Sequence, residues 1–69
     1  MEKYLITMEA ARVNAGLTQQ AIADKMEVTR QTIASWENGK KKPKPAEFKM
    51  YCELCNAPLD AIFLPEAQL

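Results

Sequence analysis

The feature that most constrains this chain is a pair of short amphipathic stretches, each opened by a threonine and separated by only a few residues. Thr18 precedes QQAIADKM, where Ala21, Ile22 and Met26 share one helical face and Gln19, Asp24 and Lys25 lie on the other. Glu27 and Val28 interrupt that period. Thr29 then precedes RQTIASWENG, in which Ile33 and Trp36 face inward with Thr32 beside them. A threonine is suited to both starts, because its side-chain oxygen can accept an early backbone N–H that has no intrahelical partner. Asn38-Gly39 closes the second stretch, since glycine takes the left-handed backbone with which many helices end. Helices joined by so short a turn cannot lie antiparallel in full contact, and such pairs cross at a steep angle. This is the geometry of a helix-turn-helix.

The flanking segments read as further helices. Thr7 can cap one in which Met8, Ala11 and Ala15 recur at i, i+3 and i+7, stopped by Gly16. Residues 1–6 have no clear period, and Tyr4, Leu5 and Ile6 either extend this helix or lie across the core. Pro43 and Pro45 mark an extended connection, as each disfavours helix for the residue before it. A fourth helix is expected over 46–55, with Phe48, Tyr51, Cys52 and Cys55 as its inward stripe and Asn56 at its end. Pro58 suits the first turn of a fifth, in which Leu59, Ile62 and Phe63 would cover the open side of the core before Pro65 stops it. No stretch alternates like a strand and nothing repeats. The expected architecture is one compact all-α domain of five helices over residues 1–69.

A 69-residue chain buries only about 60% of the surface its unfolded form exposes, so its stability margin is thin. Apolar residues at 48% and charged residues at 26% are still those of a folding globular protein. Tyr4-Leu5-Ile6 is too short for the apolar part of a signal peptide, and no stretch approaches the roughly 20 apolar residues that span a bilayer. The expected location is the cytoplasm, without a membrane partner. Nine Lys plus Arg balance nine Asp plus Glu, so net charge does not argue for nucleic acid. Its distribution does: Lys40, Lys41, Lys42 and Lys44 cluster without an acid, whereas Glu53, Asp60 and Glu66 follow Met50 without a base.

The run LTQQAIADKMEVTRQTIASWENGKKKP resembles the helix-turn-helix of the lambda-repressor-like family, the Cro and XRE type of bacterial and phage regulators. CNAPLDAIFLP resembles that family's fourth-to-fifth helix ending, so the likeness spans about residues 7–65. It implies the five-helix lambda-repressor-like fold and sequence-specific binding to a double-stranded DNA operator through residues 29–38 in the major groove. One departure stands at the turn, where family members commonly carry glycine and this chain has Glu27. A standard turn would cost Glu27 roughly 1 kcal/mol in the left-handed region. A different turn would rotate the recognition helix and change which base edges it reaches.

Arg30, Gln31, Ala34 and Ser35 lie off the inward face and are the expected base contacts. Arg can bond guanine O6 and N7 together, Gln the adenine N6 and N7, and Ala can touch a thymine methyl. The family likeness adds its weight at Arg30, Gln31 and Ser35. Thr18 and Gln19 at one helix start, and Thr29 at the next, are expected to hold phosphates, because unpaired N–H groups and the positive end of the helix dipole favour anions there. Asn38, Lys40 and Lys42 are the expected grip on the adjacent strand. The resemblance also implies an ion pair between Arg12 and Glu37, tying the first helix to the third. Trp36 is read as core.

Cys52-Glu-Leu-Cys55 has the C-x-x-C spacing, but a structural zinc site needs four ligands and the chain has no other Cys and no His. The two are expected to be reduced core residues, with no metal and no cofactor. No activated nucleophile, phosphate loop or paired-carboxylate signature points to an enzyme. A transcription regulator, most simply a repressor, acting as a homodimer on DNA is the expected function. An antitoxin or restriction-system controller would use the same domain, and a protein-interaction module, with a partner at the C-terminal end, is the reading from another class.

Overall fold

The structure, a computed structural model, describes residues 6–58 and 62–63. Its elements are a strand β1 (Ile6–Thr7), helices α1 (Met8–Asn14), α2 (Gln19–Met26), α3 (Arg30–Glu37) and α4 (Pro45–Leu54), and a strand β2 (Ile62–Phe63). Threonines open the first three helices as their chemistry requires. Thr7, Thr18 and Thr29 hold extended backbone, and their hydroxyl oxygens accept the N–H groups of Ala10, Ala21 and Thr32. At α4 the Glu47 carboxylate instead accepts the Lys44 backbone N–H at 2.7 Å, and Pro45 supplies a first residue with no N–H to satisfy.

Three of the helices end by one device. Gly16, Glu27 and Asn56 take left-handed backbone at φ 77°, 59° and 57°. The N–H of the following residue then reaches back to a carbonyl in the last turn: Leu17 to Arg12, Val28 to Ala23, Ala57 to Cys52. This is the Schellman pattern, and Leu17, Val28 and Ala57 pack against the core. The turn between α2 and α3 is therefore the standard one. Glu27 occupies the left-handed position and bears its strain, so no altered turn rotates α3.

The core unites Met8 and Ala11 of α1, Ile22 and Ala23 of α2, Ile33 and Trp36 of α3, and Tyr51 and Cys52 of α4, with Cys55 and Ile62. The inward stripes expected for the third and fourth helices hold, although Phe48 is only half-buried. Ala15 departs from expectation: it follows the last residue of α1 and is exposed.

The five-helix expectation is corrected to four helices among the described residues. Ile62 and Phe63, expected in a fifth helix, instead form β2, which pairs in parallel with β1 so that Ile6 meets Ile62 and Thr7 meets Phe63. Ile62 still enters the core, at 6% exposure. Its backbone is satisfied by the start of the chain instead of by a helical turn, and this places Ile6 across the core. Leu59, and the extent of any helix over 59–61, lie outside the described residues.

Candidate nucleic-acid interface

Helix α3 turns Ile33 and Trp36 into the core and leaves its opposite side open. Arg30 and Gln31 are exposed at its start, and Ala34 and Ser35 are half-buried one turn on. Arg30, Gln31 and Ala34, at i, i+1 and i+4, form one face, with Ser35 at its edge. The four expected base contacts are thus brought together on the outward side of the helix.

What holds α3 in place is a polar cluster beneath its last turn. Arg12 and Glu37 pair across α1 and α3, with side chains only 9% and 4% exposed. Arg12 Nε donates to Glu37 Oε2 at 2.8 Å, Nη2 to Oε1 at 3.2 Å, and Nη1 to the Leu17 carbonyl at 2.8 Å. The Tyr51 hydroxyl lies 2.5 Å from Glu37 Oε2 and 2.8 Å from the Met8 carbonyl, both acceptors for its single proton. Gln19 Nε2 donates to Glu37 Oε1 at 3.0 Å. Burial alone would raise the Glu37 carboxyl, but the hydrogen bonds from Arg12, Tyr51 and Gln19 outweigh it and hold the group below the usual carboxylate range. The Glu37 partner likewise raises Arg12, and burial followed by the bond to Glu37 raises Tyr51. The expected ion pair is present, as one part of a four-residue cluster.

The expected backbone contacts fall into two groups. At the start of α2, Thr18 Oγ1 caps Ala21 and the Thr18 carbonyl accepts from Ile22, which leaves the N–H groups of Gln19 and Gln20 without intrahelical partners. Gln19 is half-buried, and its carboxamide is engaged at both ends: Nε2 on Glu37, and Oε1 accepting from Arg30 Nη1 at 3.3 Å. Thr29 is likewise a cap, its hydroxyl also 2.9 Å from that of Thr32. Beyond α3, Asn38 Oδ1 accepts the Lys40 N–H at 2.9 Å and the Ser35 carbonyl accepts the Lys41 N–H at 3.1 Å, which folds the lysine segment back against the helix end. Gly39 at φ 83° permits that bend. Lys40, Lys41, Lys42 and Lys44 are all exposed.

A family model described as Helix-turn-helix matches residues 8–62. The chain belongs to the helix-turn-helix family of the Cro and XRE type. No curated protein and no solved structure gives a significant match. The helix-turn-helix motif itself is α2, the turn at Glu27 and α3, and membership accords with a DNA-binding regulator that is not an enzyme.

Two sequence features of this helix-turn-helix domain prove structural. Cys52 and Cys55 are buried and unlinked, and burial pushes both thiols up, Cys55 to about 11, so neither is a ready thiolate. Among the described residues no group of three or more His, Cys, Asp or Glu side chains converges as metal ligands would. The roles of Tyr51 and of the Gln19 carboxamide were not legible in the sequence. Tyr51 fits the apolar stripe of α4, and nothing local reveals that its hydroxyl meets an acid 14 positions away.

Proposed function

We propose that this protein is a sequence-specific transcription regulator, acting as a repressor by occupying an operator with α3 in the major groove. The observation that carries the reading is the single outward face of Arg30, Gln31, Ala34 and Ser35, on a helix whose opposite face is locked into the core and whose end is anchored by Glu37. A groove reader needs side chains free to bond and a backbone that cannot move away from them. Arg30 reads guanine and Gln31 adenine, while Ala34 and Ser35 contact neighbouring base edges.

Phosphates are held on either side. The N–H groups of Gln19 and Gln20, the Thr18 hydroxyl and the remaining N–H of the Gln19 carboxamide take one strand, with Thr29 beside them. Asn38 Nδ2, Lys40 and Lys42 take the other. One such domain makes few base contacts, so a homodimer on half-sites about one helical turn apart supplies useful specificity.

Selection from a randomised duplex library at low salt tests the proposal. Wild-type protein enriches one motif. The double substitution Arg30→Ala, Gln31→Ala leaves the circular dichroism spectrum unchanged and abolishes the enrichment. A wild-type protein that enriches nothing, or a double variant that enriches the same motif, refutes it.

A further inference from the structure

We propose that Glu37 is a positioning residue for the base reader Arg30, acting through the carboxamide of Gln19; the inference rests on the DNA-reading function above. A carboxylate only accepts hydrogen bonds and a guanidinium only donates them, whereas a carboxamide has one end of each kind. Gln19 lies between the two, with Nε2 on Glu37 Oε1 at 3.0 Å and Oε1 facing Arg30 Nη1 at 3.3 Å. Only one orientation of that amide satisfies both neighbours. Glu37 cannot turn to relax it, because Arg12 bonds both of its oxygens and Tyr51 bonds Oε2. A chain of hydrogen bonds thus runs from the buried Arg12 to the exposed first residue of α3.

The consequence falls on Arg30. An exposed arginine samples many rotamers and gives up that freedom on binding, a cost that prior positioning removes. Gln19 holds one of its five N–H groups from behind and leaves the others to meet guanine O6 and N7. Glu37 and Arg12 therefore determine how strongly one base pair is read, although neither is on the α3 reading face.

Base preference, position by position in the selected motif, is the measurement. Five proteins are compared: wild type, Arg30→Ala, Gln19→Met, the two of these together, and the paired Arg12→Met, Glu37→Gln, which removes the orienting charge and leaves no buried charge unpaired. Arg30→Ala identifies the base pair by abolishing its guanine preference. Gln19→Met and the paired variant each reduce that preference about five- to tenfold, part of what a bidentate contact supplies, with the loss concentrated at that base pair. Adding Gln19→Met to Arg30→Ala reduces it no further. Equal loss at every position, or undiminished preference in Gln19→Met or in the folded paired variant, overturns the relay and leaves the DNA-reading function intact. Absence of any wild-type motif overturns that function instead. If the paired variant lacks the helical circular dichroism spectrum, Glu37→Asp, which keeps a charge for Arg12 but draws the carboxylate back from Gln19, takes its place.

Discussion

At Glu27 the backbone takes a conformation that disfavours a side chain, at φ 59° and ψ 41°, to close α2 before α3 begins. Glycine would be free of that strain but would gain entropy in the unfolded chain, and the first effect is the larger. Glu27→Gly is expected to stabilise the protein by about 0.5–1 kcal/mol, seen as a rise of a few degrees in the thermal midpoint. An unchanged or lower midpoint contradicts the strain. The sequence left two turns open at this residue, because φ is not written in an isolated glutamate. Only the bonds from Glu27 and Val28 back to the last turn of α2 decide between them. Gln19 makes the same point in another way. Its place at a helix start was plain, yet its two bonds link residues 11 and 18 positions apart, a pairing no local pattern encodes.

Among elements, α2 and α3 were legible because each carries a threonine cap, a period and a stop close together, and α4 because its apolar stripe lies between Pro45 and Asn56; those signals are local. The β1–β2 pair was not. Two-residue strands are too short to show a period, and their partners lie at opposite ends of the chain. Pro58 and the apolar spacing after it fitted a helix equally well. The segment after α3 carries its own prediction. Folded back by Asn38 and Ser35, it presents lysines whose phosphate contacts would release counterions without reading sequence. Lys40→Ala and Lys42→Ala are each expected to lower the slope of log K against log salt by about 0.9, with the enriched motif unchanged. A slope that stays at the wild-type value removes that lysine from the interface.

For the whole molecule, the Arg12–Glu37–Tyr51–Gln19 cluster ties α1, α2, α3 and α4 together, so its protonation bears on global stability. Glu37 is depressed below its ordinary value of 4.5 in the folded protein. Above pH 4.5 its contribution is fully present. As pH falls from there through the folded value, the unfolded chain takes up a proton that the folded one refuses, and the contribution is lost. Urea unfolding at pH 7 and at pH 3.5 should show a smaller loss of stability for the paired Arg12→Met, Glu37→Gln variant than for wild type. Equal losses would remove Glu37 from the acid response.

The same cluster joins stability to function, since the anchor of α3 is also the centre of the folded domain. The surface that meets DNA is the most direct test of this account. An isotope-labelled sample titrated with the selected duplex should show its largest backbone amide shifts at residues 18–20, 29–35 and 38–42, with little change along α4. Shifts confined to α4 and the end of the chain, with α3 silent, would contradict it.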